Sequence, residues 1–218
     1  MTFKAVIFDL DGTLLDTIDD IADAINLVLA RRGFPTHDVD TYKRIVGAGI
    51  EDLIGRVLPE KHRDEDTITT CMMNAYAEYQ KRRYVKTKPY EGIVELLDEL
   101  VRRGIKIAVL SNKPHERAVR QIAQYFPKHS FVRVEGARPD RVLKPLPDVA
   151  HDILNDMNAQ PSECLMVGDV EMDILTAINA GMYPVGVSWG FRTATELKAA
   201  GVKTIIDEPR ELLGLFES

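Results

Sequence analysis

The chain has 218 residues, is 45% hydrophobic and 28% charged, and carries a formal net charge of −6. That suits one large domain or a core with a smaller insertion, with enough apolar material to bury a core without disulfide or metal staples. No apolar run approaches the roughly 20 residues of a membrane helix, and the acidic balance argues against a nucleic-acid partner. Cys71 and Cys164 are too few for a disulfide framework and fit a reducing, cytoplasmic setting. The start of the chain does not read as a signal peptide, because its short apolar stretch runs straight into carboxylates.

Lys4 to Phe8 reads as a short buried strand that stops at Asp9. From Asp16 the pattern turns helical: Ile18, Ile21, Ala22, Ile25, Val28 and Leu29 share one face. An acidic first turn and Arg31-Arg32 before Gly33 suit the helix dipole and a glycine stop. Val39 to Val46, Ile50 to Leu58 and about Asp66 to Tyr84 also have helical spacing, interrupted by Gly47-Ala48-Gly49 and Pro59. Residues 16–86 therefore form an all-helical block. From Pro89 helices and strands alternate: a helix over Ile93 to Arg103, a strand over Ile105 to Leu110, a helix over His115 to Tyr125 and a strand over Phe131 to Val134. A helix over Pro147 to Met157, a strand over Cys164 to Val167, a helix over Met172 to Ala180 and a strand over Pro184 to Val187 follow. A last helix–strand–helix unit completes the chain. Alternation of this kind predicts an α/β fold with a Rossmann-like parallel sheet covered on both faces. The core is predicted to comprise 1–15 and 87–218, with a small helical domain, 16–86, inserted after the first strand.

Four candidate sites fall at the carboxyl ends of predicted strands, where open parallel sheets bind ligands. Asp9 and Asp11, in DLDGT, could serve as metal ligand, nucleophile and acid/base; Gly12 permits a sharp turn, and Thr13 offers a hydroxyl and an N–H. The plain alternative is a solvated acidic turn capping the next helix. Ser111 and Asn112, read as a turn between a strand and a helix, supply a hydroxyl, an amide and helix N-terminal N–H groups that suit phosphate oxygens; Ser111 could equally be a simple N-cap. Lys144, in LKPLP, is a single cation with a surface role as its alternative. Asp169 and Asp173, after the strand CLMV, can bind Mg²⁺ or hold its waters, or can merely compensate a helix dipole.

Taken in this order, DLDGT, the Ser of LSNKP, the Lys of LKPLP and GDVEMD resemble the four motifs of the haloacid dehalogenase-like hydrolase superfamily. The resemblance spans nearly the whole chain. LSNKP, KPLP and WGFR are similar to its phosphoglycolate phosphatase-like branch, and the helical insertion resembles its cap domain. The resemblance implies an Mg²⁺-dependent phosphatase acting on a small phosphomonoester such as phosphoglycolate, a sugar phosphate or a nucleotide. Asp9 would be the nucleophile and Asp11 the acid/base. Thr13, Ser111, Asn112 and Lys144 would bind phosphate. Asp9, Asp169 and the Asp11 backbone carbonyl would hold the metal, with Asp173 farther out. One departure is Val170, where relatives carry a small polar residue. A phosphomutase or an inorganic pyrophosphatase could use the same residues, and a non-catalytic phospho-ligand sensor could use the same fold. The expected partner is a small phosphorylated metabolite, with no nucleic acid or membrane and with the chain monomeric or homodimeric.

Among other residues, Lys113 and Arg56 could supply cationic contacts but are expected at the surface. His37, His62, His115, His129 and His151 lack metal-ligand spacing and are also expected at the surface. Gly47 to Gly49 reads as a helix junction, and Trp189 and Phe191 as core or site rim.

Overall fold

The computed structural model describes residues 3–81, 85–138, 141 and 144–217. The end of the predicted Asp66–Tyr84 helix and Leu143 of LKPLP lie outside the described residues. The chain divides into two compact units, Met1–Leu15 with Pro89–Ser218 and Asp16–Lys88.

The first unit is built on strands β1 (Ala5–Phe8), β4 (Lys106–Pro114), β5 (Val134–Ala137), β6 (Cys164–Gly168), β7 (Tyr183–Val187) and β8 (Thr204–Ile206). They form one sheet in the order β5-β4-β1-β6-β7-β8, and every pairing is parallel. β2 (Leu15–Asp16) and β3 (Lys88–Pro89) make a separate two-stranded sheet.

Alternation along β1 explains why its residues are all apolar. Val6 and Phe8 join one core cluster with Leu96, Leu97, Leu100 and Ile122. Ala5 and Ile7 join a second cluster with Val149, Ile153, Leu154 and Ala177. Successive side chains of a strand point to opposite faces, so a sheet covered by helices on both faces needs apolar residues at every position. The first cluster is supplied by helices α5 (Ile93–Arg102) and α6 (His115–Tyr125), the second by α7 (Asp148–Asp156) and α8 (Glu171–Ala180). α9 (Ala194–Ala199) and a 3₁₀ segment, Pro209–Phe216, complete this unit.

The helical unit contains α1 (Ile18–Arg31), α2 (Val39–Ile45), α3 (Ile50–Val57) and α4 (Glu65–Lys81). Gly47 and Gly49, with φ of 138° and 100°, form the α2–α3 junction in backbone conformations that side chains disfavour. Arg56 pairs with Asp52 one turn earlier in α3, at 2.8 Å. Buried Asp20 of α1 accepts hydrogen bonds from the Thr87 N–H at 2.8 Å and the Thr87 hydroxyl at 2.6 Å. The last residues of the unit are thereby tied to its first helix.

Three sequence expectations shift. The strand expected at Phe131–Val134 lies at Val134–Ala137 instead; Phe131 is apolar because it packs edge-on to Phe126, not because it belongs to the ladder. β4 runs on through Pro114, so Ser111, Asn112 and Lys113 belong to a strand and not to a turn before α6. His129 is not at the surface: its ring is 6% exposed and hydrogen-bonds Asp98 at 3.0 Å.

Candidate active site

Strand register brings three chain segments level. Phe8 pairs with both Val109 and Val167, and the Asp9 N–H donates to the Val167 carbonyl at 2.9 Å. Asp9, the Ser111 region and Gly168-Asp169 therefore leave the sheet side by side. Asp9, Thr13, Ser111, Lys144, Asp169 and Asp173 are all buried.

Lys144 is the cation of the cluster. Its Nζ lies 2.7 Å from Asp9 Oδ1 and 2.6 Å from Asp173 Oδ1. Burial opposes its charge, but the Asp173 and Asp9 carboxylates outweigh that effect and hold the ammonium above its usual pKa. Asp173 Oδ2 accepts from the N–H groups of Asp169 and Val170, both at 3.1 Å, at the start of α8. Asp173 thus links Lys144 to the loop carrying Asp169.

Asp169 is fixed from two sides. The Thr13 hydroxyl donates to its Oδ1 at 2.8 Å, and the Phe191 N–H donates to its Oδ2 at 2.9 Å. The Thr13 hydroxyl, expected from the sequence to meet phosphate, is therefore committed to a carboxylate. Gly12 and Gly190 make this close packing possible. A Cβ on Gly12 would stand 2.2 Å from Asp169 Oδ2, and one on Gly190 would stand 2.2 Å from Asp169 Cβ. Gly12 also has a φ of 91°, in the region that favours glycine. The Trp189 indole N–H donates to the Thr13 carbonyl at 3.1 Å, which joins the loop after β7 to the loop after β1.

The electrostatics show what this cluster lacks. Asp9, Asp169 and Asp173 can each bring one oxygen within 4.8 Å of the others, with one lysine among them. Burial raises the Asp9 carboxyl; Lys144 pulls it back, and Asp173 and Asp11 raise it again, to about 7. Burial, then Asp173 and Asp9, raise Asp169 as well, against the Phe191 N–H and the Thr13 hydroxyl. Asp9 Oδ1 has the Lys144 ammonium as its partner, and Asp173 shares it. A buried carboxylate oxygen with unfilled lone pairs, in an all-oxygen donor set carrying excess negative charge, fits a hard divalent cation. Each oxygen of Asp169 accepts one hydrogen bond and keeps a lone pair, whereas Asp173 Oδ2 accepts two and its Oδ1 pairs with Lys144, so Asp9 and Asp169 are the better-placed donors.

The other residues singled out in the sequence lie around this centre. Asn112 donates from Nδ2 to the Lys144 carbonyl at 3.3 Å, and Ser111 Oγ accepts from the Lys113 N–H at 3.3 Å. Asp11 turns to Lys113, whose Nζ lies 2.8 and 2.9 Å from its two oxygens. Lys113 is therefore no surface residue: its side chain is 6% exposed. Glu171 pairs with Arg192 at 3.0 Å. Sequence reasoning undervalued Lys113 and did not foresee the Phe191 N–H. The available signal for the latter was WGFR, which is separated by one residue from the end of β7.

Comparison with known proteins agrees with this geometry. The profile described as haloacid dehalogenase-like hydrolase matches residues 6–187. A phosphoglycolate phosphatase of Psychrobacter arcticus is 31% identical over 215 residues, covering 95% of this chain and 93% of its own. One from Vibrio parahaemolyticus is 30% identical, with coverage of 96% and 94%. A crystal structure from Lactobacillus delbrueckii subsp. bulgaricus, itself assigned provisionally as a phosphoglycolate phosphatase, superposes with a TM-score of 0.92 at 29% identity and 99% coverage of both chains. Among the described residues no helix is long and apolar enough to cross a membrane. With its motifs gathered at one edge of a parallel sheet and residues 6–187 matching the profile, the chain belongs to the haloacid dehalogenase-like hydrolase family.

Proposed function

We propose that this protein is an Mg²⁺-dependent phosphatase that hydrolyses a small phosphomonoester through an aspartyl-phosphate on Asp9. Phosphoglycolate is the first substrate to test, because the relatives reported above carry that activity in their names. The observation that carries the reading is the charge shortfall at Asp9: three buried carboxylates gathered round a single lysine. A solvated acidic turn has no such arrangement, and a protein that only binds phosphate has no need of a buried nucleophile.

In this reading Asp9 attacks phosphorus as the alcohol oxygen leaves. Asp11 gives that oxygen its proton, and later takes one from the water that cleaves the acyl phosphate. Lys144 offsets charge on the transferring group while keeping Asp9 and Asp173 paired. Ser111 and Asn112, with the backbone N–H groups of Asp11 and Thr13, face the phosphoryl oxygens and stabilise charge there as it redistributes. Asp9, Asp169 and the Asp11 carbonyl would hold Mg²⁺, with Asp173 supporting them. When bound, the ion neutralises enough phosphate charge for a carboxylate to approach it. Trp189, Gly190 and Phe191 keep Asp169 aimed. The helical unit, residues 16–88, is read as the family's cap, which selects the substrate.

The test is phosphate release from phosphoglycolate and from p-nitrophenyl phosphate. Asp9→Asn is expected to lower turnover of both by at least about 10³-fold, the scale of removing a nucleophile. EDTA should inhibit the wild-type protein, and added Mg²⁺ should restore it. Turnover by Asp9→Asn at the wild-type rate would remove the covalent mechanism; full activity in EDTA would remove the metal.

A further inference from the structure

Asp169 takes its aim from a residue 22 positions later in the chain. The Phe191 N–H holds its Oδ2 at 2.9 Å, and that N–H lies in a loop between β7 and α9. Gly190, beside it, has no side chain with which to anchor the loop. The anchors stand on either flank. Before Phe191, the Trp189 indole N–H donates to the Thr13 carbonyl at 3.1 Å. After it, Arg192 Nε donates to Glu171 Oε2 at 3.0 Å. Glu171 opens α8, two residues beyond Asp169. The Phe191–Asp169 contact and the Arg192–Glu171 pair therefore run side by side between the same two segments. The Arg192 side chain is 7% exposed and that of Glu171 42%, so the guanidinium is packed in place and the carboxylate meets it from the rim.

That frame bears on the metal. Asp169 Oδ1 and Oδ2 each accept one hydrogen bond, from Thr13 and from Phe191, and the lone pair left on each points where those donors allow. Mg²⁺ tolerates little error there, because it demands near-ideal octahedral oxygens at short range; the larger Ca²⁺ accepts more oxygens in looser arrangements. We propose that Arg192 and Glu171 are positioning residues that hold the Phe191 N–H on Asp169 and thereby fit this carboxylate to Mg²⁺. Neither residue touches the ion. Arg192 suits the task because its planar fork offers donors in a fixed direction. Glu171, although close in sequence to a metal carboxylate, is directed to Arg192 and acts through it. The inference rests on the metal site proposed above and adds which residues, outside the ligands, set its choice of ion.

The experiment measures dissociation constants for Mg²⁺ and for Ca²⁺ without substrate, from the rise of melting temperature with ion concentration. It compares the wild type with Glu171→Ala, Glu171→Gln and Arg192→Leu. Glu171→Ala removes the tie and a negative charge. Glu171→Gln removes the same charge but leaves an oxygen that can accept from Arg192 Nε, and Arg192→Leu removes the tie from its other end. Loss of charge weakens both divalent ions alike, so the ratio of the two constants reports geometry. Glu171→Ala and Arg192→Leu are expected to move that ratio toward Ca²⁺ by about tenfold, the scale on which partners of a metal ligand act. Glu171→Gln should stay near the wild-type ratio. A wild-type ratio in Glu171→Ala overturns the inference, because a merely structural role would weaken both ions by one factor. A shift in Glu171→Gln as large as that in Glu171→Ala overturns it too, since charge and not position would then be the cause. Both results stand on variants of a half-exposed residue and do not depend on Arg192→Leu folding. A wild type that responds to neither ion removes the metal reading and this inference with it. A wild type that responds to Mg²⁺, with the ratio unmoved in Glu171→Ala, removes the inference alone.

Discussion

Two buried acidic clusters share one sheet, and their charge balance has opposite sign. At the end of β1, Asp9, Asp169 and Asp173 surround a single lysine. On edge strand β5, the single carboxylate Glu135, 1% exposed, is surrounded by cations. Arg133 contacts its Oε2 at 2.7 Å and Arg138 its Oε1 at 3.2 Å, and Arg141 lies at 3.9 Å. A fold has reason to bury a carboxylate among guanidinium groups, because the arginines reach back toward water and close the edge of the sheet. It has no comparable reason to bury three carboxylates around one ammonium. The Glu135 cluster accounts for itself as structure. The Asp9 cluster leaves negative charge that a bound cation would offset.

The largest expected effect follows from that contrast. Mg²⁺ should raise the melting temperature of the wild-type protein, and Asp169→Asn should abolish that rise and lower phosphatase activity at least about a hundredfold. Glu135→Gln should leave the Mg²⁺ response intact. A normal Mg²⁺ shift in Asp169→Asn, measured by thermal unfolding, would make the two clusters equivalent and remove the metal site.

A smaller contrast concerns stability itself. Lys144→Met leaves Asp9 and Asp173 buried without their partner, and in metal-free buffer it should cost about 3–5 kcal/mol. Glu135→Gln should cost about 1–2 kcal/mol, because its arginines, 24%, 42% and 32% exposed, keep much of their hydration. Denaturant unfolding of both variants measures the difference. Equal losses would show that Lys144 is no more essential to charge balance than any one partner of Glu135.

The gentlest test is pH. Burial raises Asp9 from 3.8 to about 7 and also raises Asp169, so the folded chain binds more protons than the unfolded one across that window. The contribution of these two carboxyls to stability, read as the difference between wild type and Asp9→Asn, should therefore fall as pH rises from about 4 to about 7 in metal-free buffer. Mg²⁺ favours the ionised carboxylates, so its stabilising effect should be larger at pH 8 than at pH 5. A metal-free difference that rises across the same range would contradict the charge shortfall at Asp9.

The contrast also shows what can be read before a structure is known. DLDGT, LSNKP and GDVEMD stood out because chemistry-bearing residues followed apolar runs that read as strands, and Lys144 because it precedes a proline-marked helix start. Glu135 gave no such signal: VEGA is short and carries a charge, and only its arginine partners explain why it is buried in a strand. Lys113 was legible as a cation and illegible as a buried one. Its partner, Asp11, lies 102 residues away in sequence, and no local pattern says which distant residue a side chain at a strand end will meet.

By itself, then, the sequence determined the alternation of strands and helices, the helical insertion after the first strand, and the residue types at each strand end. These follow from local periodicity and from the rule that an open parallel sheet presents ligand groups at its carboxyl edge. Tertiary structure decided which groups touch. It committed the Thr13 hydroxyl and the Phe191 N–H to Asp169, tied Lys144 to both Asp9 and Asp173, and set Lys113 on Asp11. Those pairings depend on strand register and on glycines at Gly12 and Gly190 that admit contacts a Cβ would block. Register and close approach arise only when distant segments pack together, and so they set the charge balance that makes this cluster a site.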